Sequence, residues 1–430
     1  MITSSPPILQ TLLPLIKNTG STIIIRGLSG ITRVVILLII TRQFGPVEFG
    51  RLALVISVTE IFKVMSDAGL DIITIRRFSL HRRLSKRIMD NVLSLKIMTA
   101  TAGYVLSTVV FWLLYRNMDG LVLTLIISLS IYTTLLVNSF SSYFQAHLKI
   151  SEIIIGNVIS ALAYVVFTLI GMHYRFPLEM FALMIPASEL INLLLTGRVY
   201  LRSHPIQPRF NKKIIFSLLR ESIPSGISGL IVVVYLRMDN LMIGGLIGEQ
   251  GVGIYATAYR LTEPFLLVFS SLSFSVYAIL SKHRLSHEMS EAKRSYMTIL
   301  LPTIGTSFII AALLSAFSSD IVGIFSQTYK AAGAVLIILA WSIFFKATNA
   351  QLTAFINSRA QYRLMMTISF FNLIIAVVCA LLLIPRYGIR GAAAAVVITE
   401  GLNMFIQAAY VYRLSRTTLQ VLNNSVMGSK

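Results

Sequence analysis

Charge is scarce in this chain and thiols are nearly absent. Of its 430 residues, 13% are Asp, Glu, Lys or Arg, about half of the roughly 25% usual in a soluble domain. The single cysteine, Cys379, lies in an apolar run, which excludes a disulfide framework and a thiolate metal site. The six histidines, at 81, 147, 173, 204, 283 and 287, form no HxxxH or HExxH pattern. There is no Walker motif and no GxGxxG behind a strand, so ATP-driven work by this chain alone is not expected, and no cofactor is implied. The N-terminus lacks an early basic region and a small-residue cleavage site, so no cleaved leader is expected. Connections stay within about twenty residues, leaving no room for an extramembrane catalytic domain.

Hydrophobic residues make up 56% of the chain, with a mean hydropathy of +0.79. Apolar runs of about 20 residues recur from end to end, and only helices can carry such runs through lipid as separate segments. Twelve spans are expected near 14–40, 48–73, 89–114, 120–144, 153–171, 178–197, 216–243, 251–280, 296–317, 331–354, 364–384 and 391–412. The expected class is an all-α polytopic membrane protein.

The net charge is +20, which invites a nucleic-acid reading until the charges are located. The breaks after the even-numbered spans, 76–87, 147–152, 198–213, 282–294 and 357–363, hold eighteen lysines and arginines; the six other breaks hold seven, counting Arg51 at the start of the second span. The positive-inside rule then places the basic breaks and both termini in the cytoplasm. The charge is an orientation signal and an attraction to anionic membrane lipid, so no nucleic acid partner is expected.

An internal repeat runs through the chain. FGPVEFG at 44–50 matches IGEQGVG at 247–253, and VTEIF at 58–62 matches LTEPF at 261–265, both at an offset of 203 residues. GLSG at 27–30 matches GISG at 226–229. Both copies precede a basic break, so they share an orientation. Six spans repeated in parallel imply two six-helix bundles related by a pseudo-two-fold axis along the membrane normal. The expected division is 1–197 for the first bundle, 198–215 for a basic linker and 216–430 for the second.

Charges also fall inside the spans. Arg26, Arg33, Lys63, Arg237, Arg260 and Lys346 are basic; at about 2.5–3.5 kcal/mol each, exposing all of them to lipid would exceed the roughly 5–15 kcal/mol that holds a typical protein folded. A water-filled cavity between the bundles relieves that cost. Such a cavity offers cationic donors for a ligand, so these six are the candidate substrate-binding residues. The acids Glu60, Glu189, Asp239, Glu263 and Glu400 are candidates for coupling to protons or Na+. Structural readings stand beside these. Glu60–Lys63 and Arg260–Glu263 have the i, i+3 spacing of pairs that neutralise one another on one helix, and Arg237 can pair with Asp239. Asp67 and Asp71 are expected to pair with Arg76 or Arg77. Polar stripes mark span 6 (Glu189, Asn192, Thr196), span 10 (Ser342, Lys346, Asn349, Thr353) and span 12 (Glu400, Asn403, Gln407), suited to a ligand or to a neighbouring helix.

The segments GLSGITRVVILLIITRQFGPVEFGRLALV and DAGLD, followed by a basic loop, resemble Wzx-type flippases of the multidrug/oligosaccharidyl-lipid/polysaccharide exporter superfamily. YLRMDNLMIGGLIGEQGVGIYATAYRLTEPF and PRYGIRGAAAAVVITEG extend the likeness over nearly the whole chain. The resemblance implies alternating access to a cationic central cavity, with no enzymatic reaction. The implied substrate is an undecaprenyl-diphosphate oligosaccharide, a repeat unit of O-antigen (lipopolysaccharide) or exopolysaccharide, turned from the cytoplasmic to the periplasmic leaflet. Polysaccharide polymerase and chain-length proteins are the implied partners. Two rival readings stay open: a cation-coupled multidrug exporter of the same superfamily, and a membrane glycosyltransferase or polymerase of the same pathway.

Overall fold

A computed structural model describes residues 32, 35–207, 209–286, 289–324 and 327–427. The described residues are helical and contain no strand. In order the helices are α1 (35–43), α2 (Pro46–Asp67), α3 (Leu70–Leu80), α4 (Ser85–Tyr115), α5 (Met118–Ala146), α6 (Ile154–His173), α7 (Leu178–Leu201) and α8 (Lys212–Leu246). They continue as α9 (Glu249–Ser286), α10 (Met289–Ala316), the short α11 (Ser318–Gly323), α12 (Ala331–Ser358) and α13 (Tyr362–Met427).

Eight stretches among the described residues are long and apolar enough to cross a membrane. The last of them, Arg363–Arg413, covers two expected spans and bends at Gly388, whose φ of 60° no helix accommodates. The first expected span lies mostly outside the described residues, and those at 48–73 and 251–280 fall on α2–α3 and α9, outside the set of eight.

Local chemistry sets the helix ends. Pro46 occupies the first turn of α2, where its missing N–H costs nothing. The helix stops where Ala68 and Gly69 turn left-handed, at φ 48° and 76°, and the chain restarts as α3. The expected span at 48–73 is therefore two helices, and the break falls between Asp67 and Asp71. Asn117 caps α5 by accepting from Gly120 N–H at 3.3 Å. Asn211 caps α8 by accepting from the N–H groups of Lys213 and Ile214 at 3.1 and 3.3 Å.

The chain forms two compact units, 1–253 and 254–430. In the first, α2 packs against α4, α5 and α8, while α7 lies between α5 and α6. In the second, α12 packs against α10 and α13. One helix is central in each. Just over half of the apolar stretch is buried in α5 and in α12 (56% in both), against 17% in α6 and α10. Those two central helices are spans 4 and 10 of the expected series, equivalent positions of the repeat. The division falls later than the expected linker at 198–215 because α8 lies along α2, α3 and α4. The linker itself is fastened: Gln207 N–H donates to the Asp90 carboxylate at 3.0 Å and Asn211 N–H to the Asn91 side chain at 2.7 Å.

The repeat is visible as geometry. α2 begins at Pro46 and α9 at Glu249, equivalent positions of the two copies. The equivalent Gly50 and Gly253 cross face to face. A Cβ on Gly50 would overlap the Glu249 carbonyl and sit 2.7 Å from Gly253 N; one on Gly253 would overlap the Pro46 carbonyl and sit 3.0 Å from Gly50 N. Only glycine at both positions allows this approach. Gly50→Val and Gly253→Val should each cost about 1–3 kcal/mol, read as a lowered thermal midpoint in detergent. Gly245→Ala, with nothing within 4 Å of the added Cβ, should leave the midpoint in place. A Gly50→Val protein melting with the parent would mean the crossing is not tight.

Candidate functional site

Two charge clusters lie inside the first unit. In one, Lys63 on α2 sits between Glu60, 3.3 Å away on the same helix, and Glu189 of α7 at 3.5 Å. The second carboxylate oxygen of Glu189 accepts from the hydroxyls of Thr133 and Thr134 on α5, at 2.6 and 2.9 Å. Three helices are thereby joined around one carboxylate.

The other cluster is buried more deeply. Lys96 on α4 is fully enclosed, 2.9 Å from Asp67 and in close contact with Asp71. Its ammonium also donates to the Leu135 carbonyl of α5 at 3.4 Å, and Ser142 donates to Asp71 at 3.4 Å. The α2–α3 break aims both carboxylates at the same ammonium. Asp71 also stands in the first turn of α3, where the helix dipole favours a negative charge. Asp67 and Asp71 thus pair with Lys96 rather than with Arg76 or Arg77, because a fully enclosed ammonium cannot be left without counter-charge. Arg77 instead pairs with Glu221 of α8 at 2.6 Å. Lys96 is a residue the sequence reading passed over; its signal was a lone cation inside the apolar run 89–114.

Each cluster holds one ammonium and two carboxylates, a formal charge of −1. Lys63 therefore stands in the structure as a compensated cation. The Glu60–Lys63 pair forms as its spacing suggested. Arg26 and Arg33, with GLSG at 27–30, lie outside the described residues. On α8, Arg237 and Asp239 are both half-buried and do not pair with each other; Arg237 forms no ion pair among the described residues.

A third polar group in this unit centres on Arg51 of α2. Its Nε reaches both oxygens of Glu249 at 3.0 and 3.1 Å, and its Nη1 reaches Asp119 at 2.9 Å. Asn117 donates to Glu249 at 2.6 Å. These residues close around the Gly50–Gly253 crossing.

In the second unit, Lys346 of α12 donates to the Tyr259 hydroxyl of α9 at 3.4 Å, its nitrogen 4.9 Å from that ring's centre. Arg260 and Glu263 are half-buried on α9. The polar stripes of the tenth and twelfth expected spans meet as a seam. Asn349 donates to the Glu400 carboxylate at 2.8 Å and to its carbonyl at 3.1 Å; Thr353 donates to Gln407 at 3.0 Å, and Gln407 to Asn403 at 2.9 Å. Glu400 is buried there. The stripe of α7 behaves alike, Asn192 donating to Asn157 of α6 at 3.3 Å. Much of the periodic polarity is thus helix-to-helix contact.

The fold is similar to those of solved membrane transporters. An inward-facing multidrug resistance MATE family transporter of the MOP superfamily superposes with a TM-score of 0.74 at 14% identity, over 90% of this chain and 96% of the other. Lipid II flippase MurJ in an inward closed conformation also gives 0.74, at 15% identity, over 92% and 87%. The chain belongs to the polysaccharide biosynthesis protein family, whose sequence profile matches residues 15–283. A MatE profile matches 224–382. Among individual relatives, the capsular polysaccharide biosynthesis protein CapF of Staphylococcus aureus is 23% identical over 93% of this chain and 99% of its own length. A probable low-salt glycan biosynthesis flippase, Agl15 of Haloferax volcanii, is 25% identical over 48% of this chain and 43% of its own length.

Removing one member of a buried ion group leaves its partners stranded, typically at about 3–5 kcal/mol. Lys96→Met should therefore sharply reduce the folded yield in membranes. Combining it with Asp67→Asn and Asp71→Asn should restore much of that yield. Parent-like stability of Lys96→Met alone would contradict the assignment.

Proposed function

We propose that this chain is a flippase for lipid-linked glycan, taking an undecaprenyl-diphosphate oligosaccharide, such as an O-antigen or exopolysaccharide repeat unit, from the cytoplasmic to the periplasmic leaflet. It does so as a twelve-span protein of a bacterial inner membrane, with both termini in the cytoplasm and the two bundles alternating access to a shared cavity. Membership of the polysaccharide biosynthesis family and a transporter fold support this reading. The observation that carries it is Arg237, a half-buried guanidinium inside a membrane-spanning helix with no ion-pair partner among the described residues.

A cation kept inside a span without a carboxylate is costly unless water or an anionic ligand meets it. The planar fork of arginine suits the paired oxygens of a diphosphate. Arg33 and Lys346 complete the proposed diphosphate cradle, with Arg26 and Arg260 lining the same path. Lys63, held by two carboxylates, serves the sugar hydroxyls or fixes α2 to α7. The diphosphate and sugars need this path because unaided transfer through hydrocarbon would strip their hydration. Polysaccharide polymerase and chain-length proteins would receive the product.

A cation-coupled multidrug exporter is the second reading, favoured by the net negative charge of the Lys63 and Lys96 clusters. The two readings separate in cells. Arg237→Ala and Arg33→Ala should abolish surface polysaccharide while protein levels hold, and Arg237→Lys should rescue only partially because the bidentate fork is lost. Full polysaccharide in both alanine variants, with increased drug sensitivity instead, would favour the exporter. Coupling is tested in vesicles carrying imposed proton or Na+ gradients. Translocation should follow one gradient and lose that dependence in Glu189→Gln or Glu400→Gln. Indifference to both gradients would remove the coupling role from Glu60, Glu189, Asp239, Glu263 and Glu400.

A further inference from the structure

A cleft of about 580 Å³ opens where α3 ends and where α4 and α8 begin. Its polar rim is cationic: Arg76 and Arg77 from α3, Arg87 from α4 and Lys213 from α8 face a single lining acid, Glu221. Arg77 already holds that acid, with Nη2 at 2.6 Å from one oxygen and Nε at 3.3 Å from the other. Arg76, Arg87 and Lys213 are exposed and form no ion pair among the described residues. The described lining thus sets four cations against one acid, a net positive charge within one cleft.

The rest of the wall is apolar, from Leu80, Leu84, Ile88 and Ile214. A site for a free anion needs no such wall. Cations above an apolar wall at the ends of spanning helices match a phosphate headgroup with the first carbons of its acyl chains below it, at the depth where lipid phosphates lie.

The cleft is also held open in advance. Asp90 and Asn91 of α4 fasten residues 207 and 211, and the Asn211 side chain caps α8, so Lys213 and Ile214 are fixed against α4. The first turn of α8, a 35-residue helix, points the positive end of its dipole toward the same space.

We propose that this cleft binds the phosphate headgroup of an anionic glycerophospholipid, which joins the α3–α4 turn to α8 by neutralising their facing cations. The inference rests on the membrane fold and not on the identity of the transported substrate.

The test uses the full chain in nanodiscs of phosphatidylcholine, with or without a minor fraction of phosphatidylglycerol. After exchange into detergent, retained lipid is measured by mass spectrometry and the thermal midpoint is recorded. The parent should retain phosphatidylglycerol at about tenfold or more above its share of the nanodisc, the scale expected for two or three basic residues near a lipid phosphate, and should melt higher with it. Arg87→Gln/Lys213→Gln should lose both effects, while Arg198→Gln/Arg202→Gln, which removes equal charge from residues that do not line the cleft, should keep them. Arg76→Gln alone provides a milder variant if the double one folds poorly. Equal loss in the control would reduce the effect to net charge and overturn the site. Stabilisation by inorganic phosphate or diphosphate in phosphatidylcholine nanodiscs, equal to that from the lipid, would assign the cleft to a free anion and overturn the lipid as its occupant.

Discussion

A charge enclosed among apolar helices must find its counter-charge inside the protein, and this condition organises the first unit. Lys96 has no exposure at all, and the chain answers it with Asp67 and Asp71 from either side of a left-handed turn. Had α2 continued unbroken, the two carboxylates would lie one helical turn apart on a single face. The Ala68–Gly69 break lets both converge on one nitrogen. The Leu135 carbonyl and the Ser142 hydroxyl extend the network into α5. One buried ammonium thereby sets the relative placement of α2, α3, α4 and α5.

The same economy recurs wherever polar groups enter the spans. Glu189 gathers Lys63, Thr133 and Thr134 from two neighbouring helices, and Asn349 gathers both the side chain and the carbonyl of Glu400. In lipid the hydrophobic effect does not drive helices together, so small residues and interhelical hydrogen bonds become the means of association. The Gly50–Gly253 crossing supplies the close approach, and Arg51, bound to Glu249 and Asp119, supplies the ionic closure around it. Stability and the candidate site therefore draw on the same residue types, and only a cation with no ion-pair partner among the described residues, as at Arg237, separates a ligand role from a packing role.

Much of the architecture was legible before any coordinates. Long apolar runs mark helices in any chain this poor in charge, and the expected spans at 120–144, 178–197 and 331–354 agree with the helices Met118–Ala146, Leu178–Leu201 and Ala331–Ser358 to within a few residues. The 203-residue repeat anticipated that α2 and α9 start at equivalent positions. The site was legible in part. The i, i+3 rule foresaw Glu60–Lys63, because both partners lie on one helix. It could not find Glu189 as the second partner, nor Lys96 for Asp67 and Asp71, because those contacts span 126 and 25 residues of chain respectively.

The sequence by itself determined a helical membrane protein with an internal repeat and charges that cannot face lipid. These follow from composition and period, which act along the chain. Only the tertiary structure decided which charges are cancelled, since cancellation depends on distances between helices that period does not encode. It turned the stripes of α7, α12 and α13 into seams, made Lys63 a compensated cation and left Arg237 without a described counter-charge. It also assembled the basic cleft at the start of α8 from residues separated by more than a hundred positions, a proximity that only packing can create.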